Sequence, residues 1–253
     1  FAACGKLFSS LFGVDYTLSM VISALVIVGY TALGGFLAAS TTDLVQSIVM
    51  SAALVVVLVF GVCAAGGLST VAGNAASLPG FLSLTEIYDA GTGTAAAYGP
   101  ITIISTLAWG LGYFGMPHIL LRFMAIKDDS KLRLSRRVAS VWVVISMAAA
   151  IFIGIVGLAM SKSGAIEALD GTASENIIVK IADLLSRNGL IAAIFAGVVI
   201  AGILAATMST ADSQLLASAS SVSENIFGAF FKKKLSVKAS MWIARGTVIA
   251  VAA

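Results

Sequence analysis

Apolar runs separated by short polar stretches lay out this chain. Leu18 to Ala38 is the first run and Leu44 to Gly66 the second. Ile101 to Met124, richer in glycine and aromatics, is the third, and Val138 to Met160 the fourth. Leu190 to Ser209 opens the fifth, which continues in more polar form to Ser223. A sixth run, Met241 to Ala253, has thirteen residues. A helix needs about 20 apolar residues to cross a bilayer core. The pattern therefore predicts spanning helices at 18–38, 44–66, 101–124, 138–160 and 190–223, and a truncated sixth at 241–253. The expected class is an all-α integral membrane protein, a partial helical bundle within a single transmembrane domain over 1–253.

The polar stretches predict the connections. Ser40 to Asp43 is short enough to make the first two helices an antiparallel hairpin. The longer Gly67 to Tyr98 is rich in Gly, Ala, Ser and Thr, with a short surface helix expected at 83–90. Between Ser174 and Arg187, Ile177, Ile178, Ile181, Leu184 and Leu185 recur at helical spacing, which predicts a helix lying along the membrane surface. The chain opens on Phe1 and its last apolar run stops short. It is therefore read as an interior piece whose preceding helices act as partners.

Composition agrees. Hydrophobic residues make up 59% of the chain and charged residues 11%, with a mean hydropathy of +1.05. A soluble domain carries about 25% charged residues, so lipid is the expected solvent. Of fifteen Lys and Arg, eleven fall in two stretches. One holds Arg122, Lys127, Lys131, Arg133, Arg136 and Arg137; the other holds Lys232, Lys233, Lys234, Lys238 and Arg245. Basic loops mark the cytoplasmic side, and loops 125–137 and 224–240 share a side by span count. A nucleic-acid partner is not expected. Cys4 and Cys63 lack metal-ligand spacing, and no disulfide between them is expected.

Three stretches depart from plain lipid-facing helix. In Gly29 to Gln46, GYTALGGFLAASTTDLVQ, the Gly34-Gly35 pair would let another helix approach closely. Its polar end reads first as an N-cap, with Asp43 starting the second helix. In Ala108 to Arg122, AWGLGYFGMPHILLR, three glycines precede Pro117. Proline removes an N–H, so the Tyr113 carbonyl should lose its helical partner. Trp109 and Tyr113 lie four apart with Met116 on the same face, an aromatic wall beside free backbone groups that suits a small zwitterion. His118 reads as a structural hydrogen-bond donor rather than a proton relay.

The third stretch is Ala205 to Asn225, AATMSTADSQLLASASSVSEN. Ser209, Asp212 and Ser213 share a helix face, and Ala206, Ser209 and Thr210 repeat the pattern a turn earlier. Hydroxyls, a backbone carbonyl and a carboxylate are hard oxygen ligands for a cation such as Na⁺. A carboxylate inside a span costs several kcal/mol unless it is paired or wetted; a bound ion answers that cost, and emergence into cytoplasm is the plainer alternative. An intramembrane hydrolase is excluded, since no G-x-S-x-G elbow occurs and His118 completes no triad.

On these residues the chain resembles the sodium:solute symporter family, and within it the members that carry proline. The matching segments are GYTALGGFLAASTTDLVQ, AWGLGYFGMPHILLRFMA and ILAATMSTADSQLL. The resemblance implies a LeuT-like fold of inverted repeats, of which this chain would supply the fourth to eighth core helices and the start of the ninth. It implies a solute site at Trp109, Tyr113 and Pro117, with Met116 where proline carriers read GQPH. It implies a first sodium site at Ala206, Ser209 and Thr210. A possible second site uses Asp43, Asp212 and Ser213 with Ser209, which turns Asp43 from cap to ligand. The expected function is sodium-coupled transport of a small solute, L-proline, by alternating access. Another amino acid, a small carboxylate, or a transporter-like sensor module are the alternatives.

Overall fold

The computed structural model describes residues 1–89, 91–169, 171–231 and 236–253. Lys232, Lys233 and Lys234 of the second basic stretch, and Ala90 at the end of the expected surface helix, lie outside the described residues. The chain divides into two compact units, one of Phe1–Ala52, Pro117–Ala125 and Ile200–Ala253, the other of Ala53–Met116 and Ile126–Val199.

Helix α1, Ala2–Phe12, leads through Gly13 into α2, Tyr16–Ala64. At 49 residues α2 has more than twice the length that one bilayer crossing requires. The expected loop at 40–43 is helical. Thr41 and Thr42 return their hydroxyls to carbonyls three and four residues back, 2.9–3.0 Å away, so these polar side chains continue the helix instead of ending it. The break lies at Gly35, with φ 58° and ψ −152°, a conformation essentially restricted to glycine. A Cβ at Gly35 would meet nothing within 4 Å. The glycine pair therefore supplies the break, and the close helix approach expected of it is not observed at Gly35.

After α2 comes a short helix, α3, Leu68–Ala76. The helix expected at 83–90 is replaced by a two-stranded antiparallel sheet, β1 Glu86–Asp89 and β2 Thr94–Ala97, with Ile87 opposite Ala96 and Tyr88 opposite Ala95. Ile and Tyr favour extended chain, and Asp89 organises the turn: its Oδ1 accepts from the Gly91 N–H at 2.8 Å and its Oδ2 from the Thr92 hydroxyl at 3.0 Å. Those donors hold the Asp89 carboxyl below the usual carboxylate range.

Helix α4, Pro100–Gly112, passes through a tight turn at Tyr113–Gly115 and an extended Met116 into α5, Pro117–Met124. Then follow α6, Leu132–Lys162, and α7, Ile177–Ser186. Asp128 caps the turn before α6 by accepting from the Ser130 hydroxyl and N–H, and these hold its carboxyl low. Helix α8, Leu190–Ser220, continues as a π-helical segment, Ser221–Phe230, and α9 spans Val237–Ala252.

Four segments among the described residues are long and apolar enough to cross a membrane: Tyr16–Ala64, Pro100–Met124, Asp129–Lys162 and Leu190–Phe230. With the small sheet set aside, the chain is a helical integral membrane protein. Leu33 and Leu37 of α2 are each more than three-quarters exposed, and α4 buries no residue. In lipid such surfaces need no burial, and helices associate through close packing. In the second unit, a Cβ on buried Gly157 of α6 would stand 2.5 Å from the Ile177 side chain, so only glycine lets α7 seat there. The core of the first unit is Ile27 of α2, Leu215 and Ala219 of α8, and Val248 of α9.

Candidate functional site

Polar chemistry in the first unit concentrates on one face of α8. The hydroxyls of Ser209 and Thr210 both donate to the Ala206 carbonyl oxygen, at 3.2 and 3.1 Å. Three hard oxygens thus lie within one turn, with Ser209 half-buried and Ala206 and Thr210 exposed. Each hydroxyl keeps its lone pairs free, as a cation ligand must. These are hard oxygen donors of the kind a cation such as Na⁺ takes.

One turn on, the surroundings change. Asp212 is fully buried and Ser213 is 6% exposed. The Asp212 Oδ2 accepts from the Tyr30 hydroxyl at 2.9 Å, and its Oδ1 lies 3.1 Å from the Ser213 hydroxyl, which also reaches the Ser209 carbonyl at 2.7 Å. Arg122 of α5 donates from the same Nη2 to Asp43 of α2 and to the Ser213 hydroxyl. The three residues expected to form a second cation site are thereby brought together, through a guanidinium.

Asp43 is not a cap, because α2 runs through it; its counter-charge is Arg122. Its Oδ1 is buried without a hydrogen-bond partner among the described residues, as is Gln46 Oε1 nearly one turn later. Sequence reasoning missed Tyr30 and counted Arg122 with the cytoplasmic basic loop. A hydroxyl in the middle of an apolar run was the available signal for Tyr30. For Arg122 there was a weaker one, its position inside the apolar run 101–124.

The solute residues expected from the resemblance lie at the interruption between α4 and α5. Met116 is extended, φ −75° and ψ 113°, as a residue before proline prefers, and Pro117 opens α5 where its absent N–H costs nothing. The Tyr113 carbonyl is not wholly free: it accepts from the Met116 N–H at 3.4 Å. Trp109 is 71% exposed and Tyr113 50%. Both belong to the second unit with Met116, and Pro117 belongs to the first.

The model of the sodium:solute symporter family matches residues 1–253. The chain belongs to that family. That family is one of sodium:solute symporters, which are transporters and not enzymes. Among curated relatives it is 37% identical to the osmoregulated proline transporter OpuE of Bacillus subtilis, over 98% of this chain and 47% of that protein. It is 36% identical to the high-affinity proline transporter PutP of the same organism, over 98% of this chain and 49% of that one. With the sodium/proline symporter of Escherichia coli it shares 33% identity, over 99% of this chain and 47% of the relative. The chain thus spans about half the length of the relatives it matches. No solved structure gives a significant match.

Proposed function

We propose that the protein containing this chain is a sodium-coupled symporter for L-proline, working by alternating access on a LeuT-like inverted-repeat bundle in a bacterial plasma membrane. Segments 125–137 and 224–240 face the cytoplasm in this reading. Na⁺ binds the Ala206 carbonyl with the Ser209 and Thr210 hydroxyls, and Asp43, Asp212 and Ser213 offer a second place. The solute's apolar body lies against Trp109, Tyr113 and Met116, and its charged ends meet backbone groups beside Pro117. Helices that the relatives carry beyond this span complete both sites.

The convergence of both α8 hydroxyls on one carbonyl oxygen carries the reading. Thr41 and Thr42 bond back to the Ala38 carbonyl in the same way, so what sets the α8 turn apart is the buried Asp212 and Ser213 one turn on. Relatives bearing proline and sodium in their names supply the cargo. Binding is reciprocal, so proline tightens Na⁺ binding by the factor with which Na⁺ tightens proline. The test is uptake by the whole transporter in proteoliposomes. Accumulation of labelled proline is expected in Na⁺ and absent in choline; accumulation unchanged in choline overturns the reading. Competition by unlabelled amino acids and small carboxylates separates proline from its nearest alternatives.

A further inference from the structure

Arg122 holds the place at which a second sodium was expected. Its Nη2 bridges the Asp43 carboxylate and the Ser213 hydroxyl, and through Ser213 it is linked to buried Asp212. The Arg122 side chain is 41% exposed while that of Asp43 is 12%. The guanidinium therefore has room to swing away, and the carboxylate does not. Asp43 also keeps Oδ1 buried and without a partner among the described residues, an acceptor that the present pairing leaves unused. Beside Arg122 and Ser213 lies a cavity of about 10 Å³, walled also by Phe36, Ser40 and His118. That is space for one water-sized occupant.

We infer that Arg122 is a tethered competitor for the second cation, occupying Asp43 and Ser213 until Na⁺ displaces it. Two positive charges cannot share the nearly buried oxygens of Asp43 and Ser213 without strong repulsion, so the ion and the guanidinium exclude one another. Asp43 is then never left bare, because one cation leaves as the other arrives. The released guanidinium also becomes a signal that the site is filled. This inference rests on the sodium-coupled reading above, and its tests separate the two.

The first test uses the unaltered whole transporter in lipid nanodiscs. Phenylglyoxal labelling of Arg122, read by peptide mass spectrometry, is expected to quicken several-fold when Na⁺ replaces choline; labelling that is equal or slower in Na⁺ overturns the proposal. The second measures Na⁺ binding by calorimetry. Arg122→Gln is expected to tighten it about tenfold, as when a competitor holds a site for roughly nine-tenths of the time, with Arg122→Lys near the unaltered value. Unchanged or weaker Na⁺ binding by folded Arg122→Gln overturns the proposal. Should Arg122→Gln not fold, the labelling result decides alone. Absence of Na⁺ binding in the unaltered protein removes the sodium reading itself, whereas normal binding with unmoved Arg122 removes only the competitor.

Discussion

Two consecutive turns of α8 present two kinds of polar site. At Ala206, Ser209 and Thr210 every bond is made within the helix, between residues three and four apart. At Asp212 and Ser213 the partners come from α2 and α5, Tyr30 standing 182 residues from Asp212, and Arg122 standing 91 from Ser213. The first cluster is open and locally satisfied. The second is dry and depends on the packing of three helices. An ion can join the first without displacing any tertiary contact, but joining the second means undoing one. The difference suits the proposal of a constitutive sodium site beside a conditional one.

Mutations should separate the two by what they damage. Asp212→Ala strands the Tyr30 hydroxyl, while Ser213 keeps its bond to the Ser209 carbonyl. Since a stranded polar group costs about 1–3 kcal/mol, the loss of stability should approach about 3 kcal/mol. Thermal unfolding in detergent checks this, and a loss within error of zero would mean the network is decorative. Tyr30→Phe removes one hydrogen bond to a carboxylate and should cost about 2 kcal/mol. Added to Asp212→Ala it should cost little more, because the two act as one unit; full additivity would break the proposed linkage.

Ser209→Ala and Thr210→Ala should each shift stability by less than about 0.5 kcal/mol, because the Ala206 carbonyl keeps its other partners. Their effect should fall instead on sodium, raising the half-saturating concentration for uptake by about fivefold each if each hydroxyl contributes roughly 1 kcal/mol to the ion. A large stability loss without a sodium effect would reverse the contrast between the two turns.

The same contrast explains what could be read from the residues alone. Spacing of three and four along α8 was enough to place Ser209 and Thr210 on one turn with the Ala206 carbonyl, because helix geometry makes such neighbours. Apolar run length marked four membrane-length segments, but divided Tyr16–Ala64 into two spans where the helix runs on. The Thr41-Thr42-Asp43 stretch misled because polar residues at a membrane edge read as a loop, whereas threonines whose hydroxyls are satisfied by the preceding turn sit inside a helix. Gly35 was noticed for closeness when its use is a backbone conformation other residues avoid. The hairpin at 86–97 was obscured by its small residues, although Ile87 and Tyr88 favour extended chain and Asp89 and Gly91 form its turn. Arg122 was hidden for a different reason. Positive charge near a span end follows the same rule whether it meets water or a carboxylate 79 residues earlier, and only the packing tells which.

The central claim is that the oxygens of Ala206, Ser209 and Thr210 bind sodium. Equilibrium radiosodium binding to the purified whole transporter, without solute, tests it most directly. Saturable binding is predicted, weakened on the order of tenfold or more in the Ser209→Ala/Thr210→Ala double variant as two hydroxyl ligands are lost. Equal affinity in that folded variant and the unaltered protein contradicts the account.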